Sequence, residues 1–241
     1  KDLSAIGRLQ TDFAAELAKL QIRVTNLENK TAKLEETQFS TTTKLKGEIL
    51  WQLGDSFGDS IVEQEDKSQT FFGYRTRLNF ETSFTGKDRL RTRIESKDIA
   101  ELDEVTGTVM TRLETDGKTE GTELEVLYQF PWGKSTEITI APVGVETDDI
   151  GVVLNPLNDS SQRAISRFGL RDAATLRGPE GAGLGIQHQF NDYLQANLGY
   201  MVDNDDASDP QQGRGFLQGS YSAIAQLLFK PNDNLNFALT Y

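Results

Sequence analysis

The chain has no cysteine. That excludes disulfide frameworks and thiolate metal sites, and by itself it does not fix the cellular compartment. Histidine is almost absent as well. With His188 alone, histidine-based catalysis or zinc ligation has little to build on. No stretch approaches the roughly 18 consecutive apolar residues of a membrane-spanning helix. An outer-membrane barrel escapes that test, because only alternate residues of each strand face lipid. The opening residues, KDLSAIGRLQ, lack the apolar core of a signal peptide, so the protein is cytosolic or its leader has been removed. Basic residues are the minority, 25 Lys+Arg against 37 Asp+Glu, for a net charge of −12. Nucleic acid is therefore not an expected partner. Two short motifs also fall short. DNDDASD (203–209) lacks the Gly and final Glu of a calcium loop, and GPEGAGLG is not followed by the Lys-Ser/Thr helix of a phosphate loop. No nucleophile constellation stands out, and the reading is of a non-enzyme with no metal and no cofactor.

Two hydrophobic periods divide the 241 residues. In residues 1–38 apolar positions alternate at spacings of three and four: Leu3, Ile6, Phe13, Leu17, Leu20, Val24, Leu27 and Leu34, with Gln10, Thr31 and Gln38 on the same seam. This is a heptad pattern over about five heptads, with no proline and only Gly7 as glycine. A single helix cannot bury so narrow a stripe, so the seam predicts self-association. Arg23 at g and Glu28 at the following e suit parallel strands in register, and Lys30 with Glu35 repeats the arrangement. RVTNLE resembles the Arg-h-x-x-h-Glu pattern (h apolar) of three-stranded coils. A homotrimeric stalk is expected, carried by Leu17, Leu20, Arg23, Val24, Leu27, Glu28 and Leu34. Packing of 1–38 on its own domain as an ordinary amphipathic helix is the competing reading.

Residues 39–44 read as a hinge, and from 45 onward the period is two. In TFFGYRTRLNFETSF one face carries Phe72, Tyr74, Leu78, Phe80 and Phe84, and the other Arg75, Arg77, Asn79 and Glu81. After the turn TGKD, Leu90, Thr92 and Ile94 lie on one face and Arg89, Arg91, Arg93, Glu95 and Lys97 on the other. A three-residue turn would set Glu81 opposite Arg91 and Arg77 opposite Glu95. Strands fit near 43–53, 70–84, 88–97, 122–130, 135–146, 181–190, 193–202, 215–229 and 235–241. Short turns alternate with long connections, and aromatics gather near strand ends, as in outer-membrane barrels. The fold class expected is therefore a transmembrane antiparallel β-barrel over 45–241, preceded by a helical coiled-coil stalk. The strand count is odd, whereas bacterial barrels are normally even, so further strands are expected beyond Tyr241. The first strand starts at the short-turn end, which places the stalk in the periplasm.

TQFSTTTKLKGEI, RTRLNFETSFTGKDRLRTRI, LYQFPWGK, SRFGLRD, GAGLGIQ and YSAIAQLLFKPNDNLNFALTY resemble cyanobacterial outer-membrane porins. That family is related to the carbohydrate-selective, OprB-like porins and is sometimes described as taking up iron. The resemblance implies a trimeric barrel of about sixteen strands and passive diffusion of small hydrophilic solutes, inorganic ions or sugars. It also implies an S-layer-homology domain, outside this sequence, that would tie the stalk to peptidoglycan or another cell-wall polymer.

Arginines on a lipid face would cost about 2–4 kcal/mol each at the midplane. Arg75, Arg77, Glu81, Arg89, Arg91, Arg93 and Glu95 are therefore expected to line a pore, either as a charge ladder that stiffens the wall or as a basic stripe that orients solutes. Residues 54–70, 98–123 and 203–214 net −4, −6 and −3, which predicts a negative outer mouth. The connection 147–180 is too long to be only a connection. Asp148, Asp149, Arg163, Arg167 and Arg171 make it a candidate constriction, the three arginines standing at helical spacing. The alternatives are a non-conducting anchor or adhesin with a trimeric stalk, and a channel with a specific sugar site.

Overall fold

The computed structural model describes residues 2–37, 42–62, 68–172, 174–232 and 234–241. Contacts divide the chain into two units, 1–43 and 44–241. The first is one helix, α1 (Asp2–Thr37), about 54 Å long at 1.5 Å per residue. Of the predicted seam, Leu17, Leu20, Val24 and Leu27 are exposed in the single chain. Most of the predicted hinge, residues 38–41, lies outside the described residues, as does the side chain of Leu34. No described helix is long and apolar enough to cross a membrane, which says nothing of strands.

The second unit is an antiparallel sheet. Its long strands are β1 (Thr43–Gly54), β2 (Phe71–Thr82), β3 (Arg89–Ile99), β5 (Glu123–Trp132), β6 (Thr136–Val145), β7 (Gly181–Asn191), β8 (Leu194–Asp203), β9 (Tyr221–Asn232) and β10 (Leu235–Thr240). The two-residue β4 (Gly117–Lys118) pairs with the end of β3, in a connection that also carries the short helix α2 (Leu102–Thr106). Each long strand lies beside its sequence neighbour in the order β1-β2-β3-β5-β6-β7-β8-β9-β10, and the sheet is not closed. Alternation located these strands closely. The one clear shift is β9, which begins at Tyr221 rather than 215, because residues 204–220 are occupied by the turn α5 (Asn204–Ala207) and the bends after it.

Local chemistry explains the hairpins. In the turn after β2, Asp88 Oδ1 accepts from the Thr85 amide and from the Ser83 and Thr85 hydroxyls, while Oδ2 accepts from the Tyr128 hydroxyl. The Thr85 hydroxyl and these other donors hold the Asp88 carboxyl well below the usual carboxylate range. The turn fixes the register as predicted: Arg77 lies opposite Glu95 and Glu81 opposite Arg91.

Following that register across the sheet separates two faces. One carries Ile49, Trp51, Phe72, Leu78, Leu124, Trp132, Ile140, Leu184, Ile186, Leu198, Leu227 and Leu239, all exposed. Among the described residues, the only charged one on it is Asp98, at the long-connection end, where Lys118 pairs with it at 2.8 Å. The opposite face has two halves. On β2, β3 and β5 it is charged. On β6 to β9 it is mostly uncharged, with Gly183, Gly185, Gln187, Asn197, Gly199 and Gln226, and Glu137 of β6 opposite Gln187. The buried core joins Ala141, Val145, Met201 and Ile224 of this half to Leu127 of β5 and to Ile150 and Leu176 of the connection between β6 and β7.

Candidate functional site

The second face is covered by the connection between β6 and β7. It opens with the short helix α3 (Thr147–Ile150). A β-bulge in β6 and Gly144, at φ 73°, turn the chain onto the face. Ile150 is then fully buried. It fits because Gly185 and Gly199 have no side chains: a Cβ on either would stand 2.8 Å from an Ile150 methyl or methylene carbon. The backbone that follows has left regular structure, so its polar groups need other partners. Glutamines supply them. Gln187 Nε2 donates to the Ile150 carbonyl at 2.8 Å, and Gln129 Nε2 approaches that of Asp149 at 3.4 Å. Gln226 accepts from the Val152 amide at 2.8 Å and donates to its carbonyl at 2.9 Å.

The segment then crosses to the other half of the sheet. Arg75, on β2 and only 1% exposed, donates to Ser160 and Ser161 at 3.1 and 2.8 Å and to Glu48 of β1 at 3.0 Å. Six strand-to-strand steps separate β2 from β9, about 29 Å in a flat sheet at roughly 4.8 Å each. The eight residues from Val152 to Ser160 span at most about 26–29 Å fully extended. Turns lie within them, so they are not extended. The long side chains of Arg75 and Gln226 supply the rest of the reach, so the segment bridges the inner face from β9 to β2.

Between the segment and the charged half lies a cavity of about 650 Å³. Arg75, Arg77, Arg91, Arg93 and Glu95 of the predicted lining border it, as do Asp148, Asp149, Arg167 and Arg171 of the segment. The charges are paired. Arg77 pairs with Glu95 across the strands. Arg91 pairs with Glu125 and, at 2.6 Å, with Asp149 of the segment. Arg93 reaches Glu125 at 2.7 Å and Asn79 at 2.8 Å. Glu81 and Arg89 are not among the residues lining the cavity. They pair with each other at 2.7 and 2.9 Å, so Glu81 does not pair with Arg91 although the two lie opposite in register.

Arg171 is gripped by Glu146 at 2.8 Å and Asp148 at 2.7 Å, with Glu180 at 3.9 Å. Burial and the negative charge of Glu146 push Asp148 up to about 6 and Glu180 up to about 7. The Arg171 guanidinium holds Glu146 low despite its burial. Arg163 is elsewhere: exposed, it donates to the Pro156 carbonyl at 2.6 Å and does not line the cavity. The helical spacing of Arg163, Arg167 and Arg171 does not become one helix. Asp159 caps a turn at Ser161 and Gln162, and Ser166 is held extended by a bridge to Leu113, so the helical turn α4 spans only Arg167–Leu170.

Sequence reasoning missed Glu125, Glu146, Arg177 and the amide clamp. Glu125 carried a signal, since alternation puts Glu123, Glu125 and Gln129 on one side of β5. The predicted acidic rim is partly spent internally: Arg112 pairs with Asp116 at 2.8 Å, and Arg214 lies between Asp206 and Asp209 at 3.5 and 3.4 Å.

One face of the sheet is thus exposed and almost free of charge, the other is charged and covered by an infolded connection, and comparison with known sequences decides the family. A model of the carbohydrate-selective porins, OprB family, matches residues 1–241. The chain belongs to the OprB porin family. OprB proteins are channels rather than enzymes. An uncharacterized protein of Synechocystis sp. is 39% identical over 236 residues, covering 96% of this chain and 42% of the relative. One of Nostoc sp. is 34% identical over 262 aligned positions, covering all of this chain and 44% of the relative. The porin-family chain thus spans less than half the length of these cyanobacterial relatives. No solved structure matches it.

Proposed function

We propose that β1 to β10 form part of the wall of a water-filled outer-membrane channel, which small hydrophilic solutes, sugars and inorganic ions, cross by passive diffusion. The observation that carries this reading is the sheet's exposed face, uncharged on all nine long strands except for Asp98 at its rim. Trp51, Phe72 and Leu239 are each at least 70% exposed on it. In water such a face would drive aggregation; against acyl chains it is the required solvent. The covered face then lines the pore, and residues 146–180 narrow it. Among the described residues β1 and β10 each pair on one side only, so closing the barrel takes further pairing at both edges.

Porin short turns are periplasmic. On that basis the segment before Thr43 lies on the periplasmic side. Residues 1–38 form a parallel trimeric coil through Leu17, Leu20, Val24, Leu27 and Leu34, with Arg23–Glu28 pairs between helices, and link the pore towards the cell wall. The exposed seam of α1 supports self-association.

Planar-bilayer recording of the purified protein tests the channel. Discrete, trimer-like conductance steps are expected, and deletion of residues 155–176 should enlarge each step. Absence of conductance would favour the non-conducting anchor instead. Unchanged steps in the deletion variant would put the segment outside the permeation path.

A further inference from the structure

Eight cationic and nine acidic side chains border the cavity, and nearly every cation has a carboxylate partner. The exception among the described residues is Arg167. The three arginines that meet where residues 112–116 run beside 165–167 show the contrast. Arg112 is held by Asp116, with bonds at 2.8 and 3.0 Å. Arg177 donates to Glu114 at 2.6 Å and to the Arg167 carbonyl at 2.8 Å. Arg167 gives its backbone amide to the Arg112 carbonyl at 3.2 Å, and among the described residues no carboxylate forms an ion pair with its guanidinium. It is half-buried, and it borders the same cavity as Ser160 and Ser161.

We infer that Arg167 is the carboxylate subsite of the cavity, and that the solute selected there is a sugar acid: a polyhydroxy compound bearing one carboxylate. Guanidinium is the group suited to this. It stays charged, and its planar fork can hold both oxygens of a carboxylate. Burial and the neighbouring charges of Arg177 and Arg112 disfavour this cation, and the more distant carboxylates of Glu114 and Asp116 offset them only in part, so an added anion would be favoured there. The paired arginines and carboxylates elsewhere in the cavity are satisfied as charges but still offer hydrogen-bonding edges. These suit hydroxyl groups, which accept and donate at once. Any small carboxylate would satisfy Arg167 alone. Only a polyhydroxy carboxylate would also use the rest of the cavity.

The inference rests on the channel reading, and two measurements separate them. Calorimetric titration of the detergent-solubilised protein with glucuronate, glucose and acetate reads the site without conduction. Glucuronate is expected to bind at least about tenfold more tightly than either of the others. Arg167→Ala should reduce glucuronate binding to the level of glucose and leave glucose unchanged. Arg167→Lys should restore part of it, because the charge returns without the fork. Equal binding of glucuronate and glucose by the unmodified protein, or an unaltered preference in Arg167→Ala, overturns the inference. Tighter binding of acetate than of glucuronate overturns the sugar part of it. Bilayer recording then tests the channel separately. Glucuronate preference without conductance would leave the site standing and remove the porin reading; conductance without the preference would do the reverse.

Discussion

The seat of Ile150 gives the sharpest test of how residues 146–180 are held on the sheet. Its side chain is fully buried, against β-strand positions where only glycine fits. Truncation to Ala removes the atoms that fill this hollow and should cost about 2–4 kcal/mol, the range for a buried aliphatic side chain. Gly185→Ala attacks the same contact from the other side. The new Cβ would stand 2.8 and 2.9 Å from Ile150 Cγ1 and Cγ2, so the isoleucine must shift. Overpacking of this kind costs about 1–3 kcal/mol. The clashing atoms are absent from the Ile150→Ala background, so Gly185→Ala should be nearly silent there. The double variant should recover about 1–3 kcal/mol relative to additivity. Gly183→Ala is the control, because its Cβ would meet Met201 and Val145 rather than Ile150. It should add to Ile150→Ala without coupling. Thermal unfolding in detergent reads the energies, and single-channel conductance reads the segment, which each single variant should loosen and so widen the pore. Additivity of Gly185→Ala and Ile150→Ala within about 0.5 kcal/mol would refute the seat.

Other perturbations follow from the same geometry. Gln226→Leu removes partners from the Val152 amide and carbonyl and from Asn197 Nδ2, and should cost about 2–4 kcal/mol in thermal unfolding; a change below about 0.5 kcal/mol would count against the clamp. Arg75→Ala unties Ser160 and Ser161 and leaves Glu48 unpaired. Since Glu48 is 35% exposed, the cost should be nearer about 1–3 kcal/mol than that of a fully buried pair, with larger conductance steps; unchanged steps would show that this tie does not hold the segment in the pore. Asp148 and Glu180 have folded-state values raised above the ordinary carboxylate range, so the stability they contribute is complete at low pH and lost as pH rises through about 6 to 7. Their ionisation also adds negative charge at the cavity, so cation preference measured by reversal potential should increase from pH 5 to 8, and Glu180→Gln should remove the upper part of that change. A flat profile would refute it.

The strands were legible because one face meets apolar surroundings and the other does not. A one-residue slip would put Arg75 where Tyr74 stands, and that contrast is written into alternate letters of the sequence. The turn TGKD was legible for a related reason: Asp88 satisfies its own turn with local donors. The path of residues 146–180 was not, because it depends on where glycines from distant strands come together. Gly185 and Gly199 read as turn formers or weak strand residues until Ile150 is seen between them. The spacing of Arg163, Arg167 and Arg171 pointed to a single helical face, which the cap at Asp159 and the bridge at Ser166 prevent. Pairing was equally hidden. Sequence alternation places arginines on the inner face, but Glu125 and Asp149, from another strand and from the segment, decide that Arg91 is neutralised.

That neutralisation changes what the inner face can select. A bare row of arginines would act as a long-range field, attracting anions and weakening with salt. Here Arg77, Arg91, Arg93 and Arg171 each face a carboxylate within the cavity. Opposite charges this close act as dipoles a few ångströms long, whose field falls quickly with distance. A passing ion then gains little from them, whereas a molecule with hydroxyls at fixed spacing can bond to both ends of several pairs. Paired charge therefore suits neutral or weakly charged polyhydroxy solutes better than inorganic ions. It also stiffens the wall, because Arg77–Glu95 and Arg93–Glu125 join strands, Arg91–Asp149 joins strand to segment, and Arg171–Asp148 ties the segment to itself. On this view, charge selectivity comes from what the pairing leaves over: Arg167 on the cationic side, and Asp148 and Glu180 on the acidic side as they ionise.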